Sequence, residues 1–311
     1  TSTSTSSAST HCALLRRTPY GPWEAHGAPL TDWKLPSPRE MDDIGWVNLT
    51  TGHMITLQEG SETLWHCSSN RPPKALLRLK AGSFFYNSWE AWEESPYQRF
   101  MIQSPYSPPF LLHAYHTQLI RAPLSPSPSL SPSLSALYRD PLHVHKWHAT
   151  SEDGTSVPFV TVYQKASAPP KAQLVYVYGA YGSTTPIQWP HTYWFPLLKR
   201  GWAITYAYVR GGGDRTEKWA NSARRENRHL SVDDLDAVIR ASQQRLRLTP
   251  RTTVLYGRSA GGVPVGALVA RWPKGERVGA VFTEVPYVDV LRTSTNPTLP
   301  LTVGEYKEFG N

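Results

Sequence analysis

The sequence predicts an α/β protein in which a parallel sheet, covered by helices on both faces, follows a β-rich region. Three observations predict it. From Leu174 onward, short apolar strand patterns alternate with helical ones, the order that builds strand–helix–strand units. Thr253-Val254-Leu255-Tyr256 runs straight into Gly257-Arg258-Ser259-Ala260-Gly261-Gly262, a serine set two residues from a glycine on either side at a strand-to-helix turn. From Pro22 to about Gln118 the pattern is different, with short apolar or aromatic runs broken by Gly, Pro, Asn and Ser, which is the spacing of an all-β region.

Composition bounds the rest. The 311 residues give room for about two domains, and a hydrophobic content of 40% supports a sizeable core, although 28 prolines exclude a wholly compact chain. The net charge of +8 and pI near 9.4 come from scattered basic residues with no run of five or more. They read as a solvated surface and not as a nucleic-acid footprint. Cys12 and Cys67 fit neither a disulfide framework nor a zinc site, so a reducing, cytoplasmic setting is expected. No window holds 18 uninterrupted apolar residues, so no membrane partner is expected.

Taken in order, residues 1–30 are expected to be a disordered Ser/Thr-rich segment. The chain starts at Thr1, and a start inside a longer protein accounts for this better than a transit peptide. Asn48-Leu49-Thr50 fits a glycosylation sequon, which means little without a signal peptide. Residues 31–121 are expected to be β-rich, with strands at Trp46–Leu49, Met54–Leu57 and Ala75–Leu79, part of a propeller or a sandwich, although no clean repeat of propeller length shows. Trp33, Trp46, Trp65, Trp89 and Trp92 read as packing residues. Residues 122–136, almost entirely Ser, Pro and Leu, read as a linker or exposed insertion. His143, His145 and His148 follow, the first two on one strand face. With no fourth ligand nearby they read as a surface-strand coincidence, and no metal site is expected.

Residues 137–311 are expected to form the α/β domain. Glu152-Asp153-Gly154-Thr155 signals a tight turn before a strand of alternating faces at Val157–Tyr163. Leu174–Tyr178 and Trp202–Val209 read as strands, with a helix at Trp194–Arg200 between them. Ser231 reads as an N-cap, with Asp233 and Asp234 in the first turn and Val232, Leu235, Val238, Ile239 and Leu246 on one face, giving an amphipathic helix from Ser231 to about Leu248. The elbow strand, a helix at Ala260–Arg271 and a strand at Gly279–Val285 complete the series.

The chemistry collects at the strand ends. In an elbow the serine hydroxyl stands clear of the sheet, and the new helix aims free N–H groups at the oxyanion a carbonyl becomes under attack. A Gly/Ser-rich turn without chemistry is the other reading of the pentapeptide, and the strand before it and helix after it favour the elbow. The Ala260 N–H would supply one oxyanion donor. Tyr178, ending the preceding strand, offers a phenolic O–H as a second, with a plain core tyrosine as the alternative. Gly211-Gly212-Gly213 reads either as an anion-binding nest or as a means of letting two loops pass closely.

Four blocks, Tyr176-Val177-Tyr178-Gly179-Ala180-Tyr181-Gly182, Val209-Arg210-Gly211-Gly212-Gly213-Asp214, Gly257–Gly262 and Val285-Pro286-Tyr287-Val288-Asp289-Val290, stand in the order and spacing of the prolyl oligopeptidase family of serine peptidases. The chain resembles that family from about Glu152 to Asn311. Its closing block, Leu299–Tyr306 through Gly310-Asn311, is most similar to the oligopeptidase B and prolyl-endopeptidase-like branches. The resemblance implies an α/β-hydrolase peptidase domain joined to a β-propeller that admits short peptides. It also implies Ser259 as nucleophile, Tyr178 and the Ala260 N–H as oxyanion hole, and no metal or organic cofactor. In the oligopeptidase B branch an acidic pair binds a basic substrate side chain. Glu305 matches its first member, but Lys307 stands in the second position and would repel a cation.

In this fold the triad runs Ser, Asp, His along the chain. The residues after Ser259 include Asp289, which does not match the family acid, and no histidine; all eleven histidines precede the serine. The expectation is therefore a partial chain, an α/β-hydrolase domain truncated at its C-terminus and preceded by a partial β-propeller region. It would be a serine-type oligopeptidase acting through an acyl-enzyme on Ser259 and inactive as it stands for want of a base. The alternatives are an esterase or thioesterase of the same fold, or a non-catalytic interaction protein that retains it. Oligomeric state and residue preference at the cleavage site stay open.

Overall fold

The structure is a computed structural model that describes residues 36, 43–48, 52–58, 61–68, 70–85, 98–105, 107–123, 142–185, 187 and 194–310. The Ser/Thr-rich segment 1–30, Trp33, Trp89, Trp92 and nearly all of the 122–136 stretch lie outside the described residues.

The N-terminal part contains two four-stranded antiparallel sheets. The first runs β1 (Asp43–Asn48), β2 (His53–Gln58), β3 (Ser61–His66), β4 (Lys74–Arg78), and the second β5 (Ser83–Phe85), β6 (Gln98–Ser104), β7 (Ser107–Tyr115), β8 (Gln118–Pro123), each in sequential order. Such four-stranded meanders have the form of propeller blades. Ile55, Leu64 and Leu79 share one core with Phe84, Phe100, Ile102 and Leu112. Trp65 is buried, and its indole N–H donates to Thr56 Oγ1 at 2.8 Å, the packing role expected of it.

The C-terminal part is a six-stranded sheet of order β14-β13-β11-β12-β10-β9, made of β9 (Leu142–Thr150), β10 (Ser156–Gln164), β11 (Ala172–Val177), β12 (Trp202–Ala207), β13 (Thr253–Arg258) and β14 (Ala280–Glu284). The sheet is mixed, where the sequence pattern predicts a parallel one. β11, β12, β13 and β14 are parallel neighbours, but β10 pairs antiparallel with both β12 and β9. The short turn at Glu152–Thr155, where Ser151 N donates to Thr155 O at 2.9 Å, accounts for the β9–β10 pair, since a tight hairpin can only reverse the chain; the β10–β12 pair is a long-range one. Lying inside the sheet, β10 is buried on both faces, where a half-exposed alternation is predicted.

Period-2 alternation divides the sheet's residues between two cores. Val175, Val177 and Leu255 pack on one side with Val232, Leu235, Val238 and Ile239 of α3 (His229–Leu246) and Val265 and Leu268 of α4 (Gly262–Arg271). Leu174, Tyr176 and Tyr256 pack on the other with Leu198 of α1 (Phe195–Lys199). Each such buried aliphatic contributes about 2 kcal/mol. A short helix α2 (Glu217–Asn221) precedes α3, and α5 (Val290–Ser294) and α6 (Thr302–Phe309) follow β14.

Ser231 is not the N-cap of α3. The helix begins at His229, continuing a 3₁₀ turn at Arg225–Arg228, and the Ser231 hydroxyl donates back to Arg228 O at 2.8 Å. Ser and Asp inside a first turn imitate a cap signal when the preceding turn is already helical. At the other end Arg247, with φ 57°, turns the chain out of the helix.

Candidate functional site

The elbow is built by close packing that excludes side chains. β13 pairs with β11 so that Gly257 lies opposite Val177, and the chain then enters a 3₁₀ turn at Ser259–Gly261 before α4. A Cβ on Gly257 would lie 2.5 Å from Gly261 O, and one on Gly261 would lie 2.5 Å from Val177 O. Ser259 itself has φ 51°, a left-handed conformation that costs a non-glycine residue about 1–2 kcal/mol. It is exposed, Ala260 is buried beside it, and Tyr287 N donates to Ser259 O at 2.8 Å, fixing the turn from the loop after β14. Among the described residues no side chain hydrogen-bonds the Ser259 hydroxyl.

Tyr178 directly follows β11, on the strand adjacent to the elbow and level with its turn. Its side chain is half-buried, and burial, followed by the nearby Glu305 and Glu308 carboxylates, raises its phenol above the usual tyrosine value. The hydroxyl is therefore protonated at neutral pH and able to donate.

Glu305 lies on α6, where its carboxylate accepts from the Tyr181 hydroxyl at 2.6 Å. Burial, and then this bond, pushes the Tyr181 phenol far above its ordinary range. Asp289 is ion-paired with Arg292 in α5. His143 and His145 stack on one face of β9, with His145 Nε2 3.2 Å from the Tyr163 hydroxyl. Among the described residues no three His, Cys, Asp or Glu side chains are arranged to hold a metal.

The triple glycine serves close packing and is not an anion nest. A Cβ on Gly211 would lie 2.4 Å from Gly179 O, and one on Gly213 2.1 Å from Gly182 O. The amides point at protein carbonyls: Gly211 N donates to Trp219 O, Gly212 N to Val209 O and Gly213 N to Ser183 O. Arg210, just before them, is buried and ion-paired with Asp234 of α3 and Asp153 of the β9–β10 turn.

One part of the site is invisible to a local reading. Glu308 is buried at 2% exposure, and its carboxylate accepts from Tyr181 N at 2.9 Å, Arg224 Nε at 3.0 Å and Arg228 Nη1 at 3.1 Å. Its one sequence signal is the three-residue spacing from Glu305 that puts both carboxylates on one helical face.

Residues 191–311 match the model of the prolyl oligopeptidase family. The chain is 37% identical to prolyl endopeptidase-like of Rattus norvegicus over 182 residues, 56% of this chain and 24% of the relative. It is 31% identical to protease 2 of Moraxella lacunata over 165 residues, 52% and 24% of the two. The chain thus spans about a quarter of the length of these curated relatives. In fold it is similar to oligopeptidase B from Leishmania major, with a TM-score of 0.71 over 86% of this chain and 39% of that one, at 22% identity.

Proposed function

We propose, from the match of residues 191–311 to the prolyl oligopeptidase family model, that this chain carries the nucleophile and oxyanion hole of a serine peptidase acting on short peptides. The observation that carries it is Ser259, exposed at φ 51° on a turn where no side chain fits at Gly257 or Gly261. In this reading Ser259 Oγ attacks the scissile carbonyl and becomes acylated. The carbonyl oxygen, now an oxyanion, accepts from the Ala260 N–H and the Tyr178 hydroxyl; loss of one such donor costs about 10²–10³ in rate. The leaving amine departs, and water hydrolyses the ester. A base must take the Ser259 proton, since the free hydroxyl is a weak nucleophile, and no histidine follows Ser259 in this sequence.

Residues 137–311 would be the peptidase domain and 31–121 a propeller portion. Lys307, standing in the second position of the acidic pair, would disfavour a cationic residue at the cleavage site. A reducing, cytoplasmic setting is part of this reading, since Cys12 and Cys67 fit no disulfide framework. The test is fluorophosphonate labelling of this chain and of one extended by a family segment carrying Asp and His. Labelling of the extended chain at Ser259, abolished by Ser259→Ala, is expected. An extended, folded chain that stays unlabelled overturns the proposal, and turnover of thioesters but not peptides would reassign the substrate.

A further inference from the structure

The loop 178–182, which carries Tyr178 and has a non-glycine residue at φ 57° in Tyr181, is held from outside by side chains of α6. Glu308 accepts the Tyr181 backbone N–H at 2.9 Å, and Glu305 accepts the Tyr181 hydroxyl at 2.6 Å. Glu308 is itself fixed between Arg224 and Arg228. The Arg228 guanidinium lies over the Phe309 ring at 4.9 Å, and that ring meets Tyr181 at 5.7 Å and Tyr287 at 5.0 Å. Tyr287 in turn donates its N–H to Ser259 O. One helical face therefore ties the Tyr178 loop and the serine turn to a common support.

We infer that Glu308 and Glu305 are positioning residues that clamp the Tyr178 loop against the Ser259 turn, and that Glu305 is engaged in this clamp and not in substrate recognition. The inference rests on the reading of Ser259 and Tyr178 given above. A carboxylate suits the task because it accepts several donors at once without having to donate. A backbone N–H held by a buried carboxylate makes a short, charge-assisted bond. An oxyanion donor misplaced by about 1 Å loses much of its effect on rate. Arg228 Nε and Nη2 are buried without a hydrogen-bond partner; the Phe309 face beneath the guanidinium offsets part of that cost.

Hydrogen exchange and serine labelling together test the clamp on the intact chain. Glu308→Ala is expected to speed amide exchange across 178–182 at least tenfold, with protection in α3 and β13 unchanged. In the extended chain it should also lower the first-order rate of fluorophosphonate labelling at Ser259 about tenfold without changing probe affinity. Glu308→Gln, which keeps an acceptor for the Tyr181 N–H, should restore most of both. If Glu308→Ala also loosens α3, Tyr181→Phe decides, because it removes only the hydroxyl bond to Glu305 and should speed exchange in the same loop about threefold. Unchanged exchange at 178–182 in the folded variants overturns the clamp. Wild-type and extended chains that both resist labelling would sink the peptidase reading, while the exchange result would still judge the clamp.

Discussion

At the scale of single residues, two carboxylates sit in opposite surroundings. Asp234, fully buried, meets Arg210 through its backbone and side chain and also accepts from Ser151 Oγ. Removing Asp234 leaves the buried Arg210 guanidinium with only the exposed Asp153 to pair with, so Asp234→Ala should cost about 3 kcal/mol in chemical denaturation. A loss below about 1 kcal/mol would contradict the network. Among the described residues no cation is paired with Glu62, which accepts from Phe84 N at 2.7 Å; burial raises its carboxyl to about 7. The folded state therefore holds the proton more tightly than the unfolded one. That stability is complete below the ordinary value of 4.5, and it falls as pH rises to about 7. Glu62→Gln should raise the Tm at pH 8 and leave it nearly unchanged at pH 4.5. Equal shifts at both would show that the gain is not protonic.

At the scale of elements, β14 is the exposed edge. Val281 and Phe282 are 42% and 56% exposed, and the strand pairs only with β13 among the described residues. An open, apolar edge invites pairing with another chain, so Phe282→Lys should lower light scattering on heating without changing far-UV circular dichroism. Scattering that persists would move the sticky surface elsewhere. The elements also show what the sequence could and could not convey. The elbow was legible because its constraint is local: Gly257 and Gly261 sit two residues from Ser259, and the space they leave is set by neighbouring strands at the same level. The amphipathic face of α3 was legible for the same reason. Its start was not, because Ser231 and Asp233 give a cap pattern whether or not a 3₁₀ turn precedes them. The antiparallel placement of β10 follows from its pairing with β12, over 40 residues away, and no local pattern encodes that. Glu308 was missed because its three donors lie 80 or more residues distant.

At the scale of the whole molecule, the β-rich part and the α/β part share buried surface. Ala81, just before β5, is fully buried in the cluster that contains Val160 and Tyr208, and Lys146 of β9 donates to Gln58 O and Ser61 Oγ. A charge at the fully buried Ala81 must be stripped of water, so Ala81→Glu should split a single calorimetric transition into two. One unchanged transition would show that the two parts are not energetically coupled there.

The clamp on the Tyr178 loop has a consequence in time as well as in space. Tyr181 and Glu308 are separated by 127 positions, and a ribosome adds residues at about 5–20 per second. The elbow serine and the loop beside it therefore leave the ribosome seconds before the helix that holds them together. The 178–182 loop and the Ser259 turn stand without their shared support for the seconds that α6 takes to emerge.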